Sequence, residues 1–168
     1  IAVVGPTASG KTALGIFLAQ HLRVGAGRAQ KIKAEIISAD SRQVYKGLNV
    51  GTGKVTKKEM AGVPHHMLDV VSPKKVFTAD DYVKEAEKIL NTSIYRSILP
   101  IVVGGTGFYV DALLGRVVLP NVAPNLKLRA RLEKKSVEEL FQMLKKKDPA
   151  RAKTIEPHHK RRLIRALE

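Results

Sequence analysis

Eight residues near the start of the chain carry the clearest chemistry: Gly5-Pro6-Thr7-Ala8-Ser9-Gly10-Lys11-Thr12. The spacing is G-x-x-x-x-G-K-T, a phosphate-binding loop (P-loop) when a strand precedes it and a helix follows it. The apolar run Ile1-Ala2-Val3-Val4 comes before it, and Leu14, Phe17, Leu18 and Leu22 follow at helical spacing. The two glycines let the backbone curl so that successive N–H groups point into one concavity. The start of the following helix adds partial positive charge. Lys11 reaches outer phosphate oxygens, and the Thr12 hydroxyl is placed to hold magnesium. We therefore expect Gly5 to Thr12 to bind a phosphate compound. The loop by itself does not say which compound, or what becomes of it. A glycine-rich turn without chemical use would leave Lys11-Thr12 unexplained.

Two further polar segments follow apolar runs. Asp40-Ser41-Arg42-Gln43 ends the run Glu35-Ile36-Ile37-Ser38-Ala39, and Gly104-Gly105-Thr106-Gly107 ends Leu99-Pro100-Ile101-Val102-Val103. In an open α/β sheet, ligands bind outside the carboxyl ends of the strands. Asp40 can be read as a magnesium ligand, as a general base, or as a turn-forming carboxylate. Thr106 can be an orienting hydroxyl or a loop cap. His65-His66 is a weak metal signal without further ligands at suitable spacing, so a structural role in a loop is the better reading. His158-His159 stands beside Lys160-Arg161-Arg162 and reads as part of a basic surface.

These residues need a particular scaffold. Residues 1–4 read as a buried strand, 11–23 as a helix, 24–33 as a polar surface connection and 35–39 as a second strand. A turn-rich stretch from Val44 to His66 leads to a short strand at Met67–Val71. Thr78 has the form of a helix cap with acids in the first turn, and the helix runs to about Ser97 with Val83, Ala86, Leu90 and Ile94 on one face. Leu99–Val103 is another buried strand, and Phe108–Leu114 a helix. The alternation predicts an α/β fold: a P-loop NTPase-like parallel sheet with helices on both faces. After Pro120 and Pro124 the pattern becomes helical only. Ser136-Val137-Glu138-Glu139 has capping-box form, Asp148-Pro149 marks another helix start, and a last helix begins near Pro157. We expect residues 1–119 to form the core and 120–168 a basic helical insertion or appendage.

The 168 residues carry a net charge of +15, with an apolar fraction of 44% and no cysteine. Residues 127–168 hold 14 Lys+Arg against 6 Asp+Glu, so a quarter of the chain carries about half of the excess charge. Such a balance points to nucleic acid. Lys145-Lys146-Lys147 reads as a solvated helix end, whereas Arg161, Arg162 and Arg165 are better candidate contacts. No apolar run approaches the roughly 20 residues of a membrane span. The absence of cysteine fits a reducing compartment, and we expect a cytoplasmic monomer without a membrane partner. The chain opens within a strand pattern and stops within a helix pattern, so we read it as a fragment that is weakly active or inactive on its own.

The blocks Gly5–Thr12, Ile37-Ser38-Ala39-Asp40-Ser41-Arg42-Gln43-Val44-Tyr45, Gly51-Thr52-Gly53-Lys54, Gly62-Val63-Pro64-His65-His66 and Gly104–Gly107 occur in this order. Together with Asp148-Pro149 and Arg162–Glu168, they resemble the tRNA dimethylallyltransferase (tRNA isopentenyltransferase, or IPP transferase) family over essentially the whole chain. The resemblance implies transfer of a dimethylallyl group from dimethylallyl diphosphate to the exocyclic amine of the adenosine beside the tRNA anticodon. The P-loop residues Gly5, Pro6, Thr7, Ala8, Ser9, Gly10, Lys11 and Thr12 would then hold the departing diphosphate with Mg2+. It assigns Asp40 as the general base, with Thr106 and Lys11 assisting. Asp40, Ser41, Arg42, Gln43 and Thr106 would hold the flipped base, and Arg129, Arg161, Arg162, Leu163, Ile164 and Arg165 would contact the anticodon loop. Lys160-Arg161 departs from the Pro-Gln usual in the family. Competing readings are an adenylate isopentenyltransferase acting on free nucleotides, a P-loop small-molecule kinase, and a non-catalytic RNA-binding domain switched by nucleotide.

Overall fold

The computed structural model describes residues 1–24, 30–120 and 122–168. The chain divides into two compact units, Ile1–Leu119 and Pro120–Glu168.

The first unit runs β1 (Ala2–Val4), α1 (Lys11–His21), β2 (Arg23–Val24), β3 (Gln30–Lys31), β4 (Ala34–Ser38), β5 (His65–His66), α2 (Ala79–Tyr95), β6 (Leu99–Gly104) and α3 (Gly107–Leu113). Its main sheet has the order β1-β6-β4-β5, and every pairing in it is parallel. The β-branched runs Ile36-Ile37 and Ile101-Val102-Val103 suit central strands, where stiff side chains pack on both faces. Alternate residues serve opposite layers. Ile36, Ile101 and Val103 pack with Ile16 and Ala19 of α1. Ile37 and Val102 pack with Tyr82 and Ala86 of α2 and Tyr109 and Val110 of α3. This is the predicted sheet with helices on both faces.

Several elements differ from expectation for identifiable reasons. β1 pairs only with β6 among the described residues, so Ile1 and Val4 stay 55% and 58% exposed instead of buried. In α1 the buried residues are Gly15, Ile16 and Ala19, while Leu14 and Phe17 face outward. A Cβ at position 15 would lie 2.6 Å from Val103 Cγ2, so the helix seats on its small residues and rotates the large ones away. The connection expected at 24–33 holds part of an antiparallel ribbon, with Arg23 opposite Lys31 and Val24 opposite Gln30; residues 25–29 lie outside the described ones. The strand expected at Met67–Val71 lies two residues earlier, at His65–His66. Met67 and Asp69 take φ of 63° and 55°, which no strand tolerates, and Val71 keeps only a single parallel bridge to Tyr45. The inner face of α2 is Tyr82, Ala86 and Ser93, with Ile94 exposed. Thr78 caps it as predicted, and Asp81 bonds back to the Thr78 N–H to complete a capping box.

The second unit contains α4 (Leu126–Glu133), α5 (Val137–Lys147), α6 (Pro149–Thr154) and α7 (Lys160–Leu167). Leu132, Leu140, Leu144, Ala152, Ile155, Leu163 and Ile164 form its core. Each helix start has a side-chain cap. Asn125 accepts from Leu128 N–H, Ser136 and Glu139 form a capping box, and Asp148 accepts from Arg151 N–H with Pro149 next in line. Such a cap contributes about 1 kcal/mol. The last helix begins at Lys160 and not at Pro157, because His159 Nδ1 accepts from Arg162 N–H at 3.4 Å. Among the described residues no helix is long and apolar enough to cross a membrane.

One close approach in the first unit is testable. A Cβ on Gly104 would sit 2.1 Å from the Ala39 carbonyl oxygen, so only glycine fits there without moving backbone. Gly104→Ala should destabilise the sheet by roughly 1–3 kcal/mol, the usual cost of overpacking. The check is a fall in the urea midpoint at unchanged m-value. An unchanged midpoint would mean that the two strand ends can part freely.

Candidate active site

The P-loop begins where β1 ends. Ala8 and Gly10 take φ of 62° and 79°, which turns the chain back on itself before α1. Gly10 caps α1 without a side-chain acceptor, and the first backbone bond of the helix is from Leu14 N–H to Gly10 O. The N–H groups at the start of the helix are thus left for a ligand. The Lys11 ammonium curls over the loop and donates to the Pro6 carbonyl, with Ser9 Oγ at 3.4 Å. Thr12 is exposed in the first turn.

The other two predicted segments lie beside it. A Cβ on Gly105 would be 3.5 Å from Gly5 O and 4.0 Å from Lys11 Cε, so the second glycine loop lies against the P-loop. Thr106 N–H donates to Ala39 O at 3.0 Å, and Ser41 N–H donates to Thr106 Oγ1 at 2.9 Å. Thr106 therefore ties the end of β6 to the end of β4. Asp40 Oδ1 accepts from Arg42 N–H at 2.8 Å and from Gln43 N–H at 3.3 Å. The turn-forming reading of Asp40 is thus realised by one oxygen, and the second oxygen is not used by that turn.

The topology explains why these loops meet. β6 sits between β1 and β4, and α1 and α3 leave the sheet toward opposite faces. At such a divergence, ligands of open α/β sheets bind outside the carboxyl ends of the strands. An open cleft of about 580 Å³ lies elsewhere, lined by residues such as Phe77, Lys84 and Lys88, and holds none of the candidate residues.

Not every candidate is free to touch a ligand. Gln43 turns its side chain inward: its amide donates to the carbonyls of Thr52 at 3.2 Å and Gly53 at 3.3 Å. Arg42 is exposed. The histidine pair lies on a strand and not in a loop. His66 Nε2 meets Glu35 Oε2 at 2.9 Å, and burial lowers the pKa of His65. Tyr109, unremarked in the sequence, stacks on Tyr82 with ring centroids 4.3 Å apart. Burial above all, with the Tyr45, Asp81 and Asp40 charges, pushes its phenol up to about 12, so it stays protonated.

In the helical unit, the basic candidates split into two sets. Arg161 and Arg162 are exposed, and the nearest acid to Arg162 is Glu156 at 3.8 Å. Arg129 instead grips Glu168 through Nε at 3.0 Å and Nη2 at 2.8 Å. Arg165 donates to Glu168 as well and to Val122 O at 2.8 Å. Leu163 and Ile164 are buried in the core, so their side chains hold α7 in place and do not face solvent. His159 serves as a helix cap rather than as a surface cation.

Fold and loops together define a protein of the P-loop α/β class. Comparison with known proteins narrows the class. A family model described as IPP transferase matches residues 43–168. A tRNA dimethylallyltransferase of Roseiflexus sp. is 45% identical over the whole chain, which covers 53% of that relative. The corresponding protein of Oceanobacillus iheyensis is 41% identical, with 52% of its length covered. The crystal structure of the full-length tRNA isopentenylpyrophosphate transferase from Bacillus halodurans is similar with a TM-score of 0.63 and 39% identity, over 99% of this chain and 53% of that one. A eukaryotic dimethylallyltransferase, solved in crystallographic snapshots acting on tRNA, gives a TM-score of 0.80 at 30% identity, over 98% of this chain and 39% of its own. The chain belongs to the IPP transferase family, and it spans about half the length of the curated relatives it matches.

The Glu168 cluster gives a pH-dependent prediction. Hydrogen bonds from Arg129 first, then from the Asn125 amide and Arg165, hold the Glu168 carboxyl down at about 2. An unfolded glutamate titrates near about 4.3. The folded pKa is the lower one, so the stabilisation is complete above about pH 4.3 and fades as pH falls toward about 2. Glu168→Gln should flatten the loss of helical-unit stability across that window, read by circular dichroism during acid titration. Parallel acid curves for both proteins would show that the cluster contributes nothing.

Proposed function

We propose that the full-length protein transfers a dimethylallyl group from dimethylallyl diphosphate to the exocyclic amine of the adenosine 3′-adjacent to the anticodon in tRNA. The observation that carries this reading is the Ser41–Thr106 hydrogen bond of 2.9 Å, which holds the Asp40 turn beside the glycine loop lying on Lys11. Family membership and the relatives' names support tRNA as substrate.

The chemistry follows from charge placement. The allylic carbon–oxygen bond breaks and its electrons leave with the diphosphate. Backbone N–H groups of the P-loop and the Lys11 ammonium face that developing charge and stabilise it more than they stabilise the intact donor. The adenine nitrogen forms the new bond to the allylic carbon. Its lone pair is delocalised into the ring, so attack becomes feasible as its proton leaves for the free oxygen of Asp40. Thr106 holds the turn that aims this carboxylate. The base must leave its stack to reach the site, and Ser41 and Arg42 border the position it would enter. Arg161 and Arg162 supply exposed cations for the phosphates of the RNA loop.

A divalent metal fits the donor set. The exposed Thr12 hydroxyl is a hard oxygen ligand of the kind magnesium takes, and the diphosphate oxygens would supply others. When bound, magnesium would add positive charge beside the diphosphate oxygens.

The deciding experiment incubates the full-length protein with labelled dimethylallyl diphosphate and an anticodon stem-loop, then analyses the nucleosides by mass spectrometry. Prenylated adenosine is expected without ATP. Label passing to AMP in preference to the stem-loop would assign the adenylate enzyme instead, and phosphate transfer from ATP a kinase. Asp40→Ala should retain stem-loop binding and lose about 100-fold or more in turnover. Full turnover by that variant would remove Asp40 as base.

A second prediction concerns the exposed arginines. Arg161→Glu or Arg162→Glu should weaken stem-loop binding and reduce the slope of log K against log salt by about 1 for each lost phosphate contact. A slope equal to that of the parent protein would place the RNA elsewhere.

A further inference from the structure

The segment from Gly47 to Lys54 contains three glycines and closes beside the Asp40 turn. Its own bonds are local: Thr52 Oγ1 donates to Leu48 O at 2.6 Å, Gly53 N–H to Val50 O at 3.1 Å and Lys54 N–H to Asn49 O at 3.0 Å. What fastens it to the rest of the unit is an enclosed cation. The Lys54 side chain is only 5% exposed, and its ammonium donates to Asp69 Oδ1 at 2.6 Å and Tyr45 O at 2.7 Å. Asp69 Oδ1 also accepts from Gly47 N–H at 3.2 Å, so the pair staples both ends of the segment. A desolvated ammonium is costly unless paired, and its partner is correspondingly hard to replace.

We propose that the Lys54–Asp69 ion pair is a positioning latch for the Asp40 carboxylate, acting through Gln43; this rests on Asp40 being the proton acceptor. Asp69 and the two residues before Lys54 grip Gln43 from two sides. Asp69 N–H donates to Gln43 O at 3.2 Å. The Thr52 and Gly53 carbonyls, immediately before Lys54, receive the Gln43 amide at 3.2 and 3.3 Å. Ser38 Oγ donates to Gln43 Oε1 at 3.4 Å and fixes the remaining end of that amide. The Gln43 N–H in turn bonds Asp40 Oδ1 at 3.3 Å. A carboxylate held at one oxygen by two N–H groups keeps the direction of the other oxygen. Releasing Gln43 lets the carboxylate rotate, and a misplacement of about 1 Å at a reacting group costs on the order of 100-fold in rate. Neither Lys54 nor Asp69 needs to touch substrate for this effect.

A double-mutant cycle on the full-length protein tests the latch. The readout is the single-turnover rate with labelled dimethylallyl diphosphate and an anticodon stem-loop, with donor affinity measured separately. Lys54→Met should slow the step by roughly 10- to 100-fold while donor affinity stays within about 2-fold, because the P-loop is untouched. In an Asp40→Asn background the same substitution should change the rate by less than about 2-fold, since the group it aims is gone. An equal loss in both backgrounds, or no loss in the parent, overturns the latch while leaving Asp40 as the base. A parent-like rate for Asp40→Asn alone overturns the base and the latch together. Should Lys54→Met fail to fold, Asp69→Asn replaces it in the same cycle. It keeps an acceptor for Gly47 N–H but removes the charge, and the same outcomes decide.

Discussion

The candidate site depends on how closely two strand ends approach. The Ala39 carbonyl lies where a side chain at position 104 would begin, and Thr106 N–H closes on that carbonyl at 3.0 Å. Ala39 N–H bonds Val103 O at 2.8 Å, so the β4–β6 ladder continues one step past the strand itself. The polar loops that follow therefore start from a common, rigid point. Thr106 can then reach Ser41 N–H, and Gly105 can lie on Gly5 and Lys11. Without that contact Asp40 and the P-loop would belong to separate loops of a sheet edge. Rigid supports of this kind are what let a few polar groups act together, since electrostatic stabilisation depends on dipoles that are already aimed.

Charge in the helical unit is used in two ways that a net count does not separate. Arg129 and Arg165 spend their donors on Glu168 and on the Val122 carbonyl, joining α7 to the segment that enters α4. Arg161 and Arg162 stand one turn earlier on α7, on the side away from Leu163 and Ile164, and remain exposed. A short helix thus uses its apolar residues for anchoring, one arginine for cross-linking and two for solvent. An excess of positive charge concentrated in this unit supports nucleic-acid binding, and Arg161 and Arg162 offer exposed cations for it, Arg162 with Glu156 at 3.8 Å.

Much of this was legible from residue types. The P-loop spacing, the strand-final Asp40 and Thr106, the cap at Thr78, the capping box at Ser136 and the alternation of layers all rest on local rules, and local rules hold in the structure. Misplaced elements share another origin. Leu14 and Phe17 look like core residues, yet Gly15 and Ala19 decide how α1 sits because small residues permit the closer approach. Met67–Val71 has the composition of a strand, but its backbone must turn at Met67 and Asp69 to bring Asp69 to Lys54. The role of Gln43 was equally hidden. A glutamine beside a strand-final aspartate invites a substrate contact, while its amide is taken up by carbonyls nine and ten residues onward. Partners nine and ten residues away in a glycine-rich loop leave no periodicity to detect.

The P-loop itself constrains the chemistry less than its neighbours do. A ring of N–H groups with a lysine stabilises any departing or bound diphosphate, whether the electrophile is phosphorus or carbon. Discrimination must come from what stands opposite. A kinase needs only an alcohol and a base near the terminal phosphate. An allylic donor with an amide-like amine needs a carboxylate whose direction is fixed before the nucleophile arrives, because neither partner is reactive enough to tolerate poor alignment. The first unit places its polar side-chain contacts in keeping with that proposal. Thr106, Gln43, Lys54 and Asp69 converge on the Asp40 turn, while the P-loop side chains face outward and are held chiefly by backbone geometry. That uneven distribution is what the proposed transfer, with Asp40 as its base, would require.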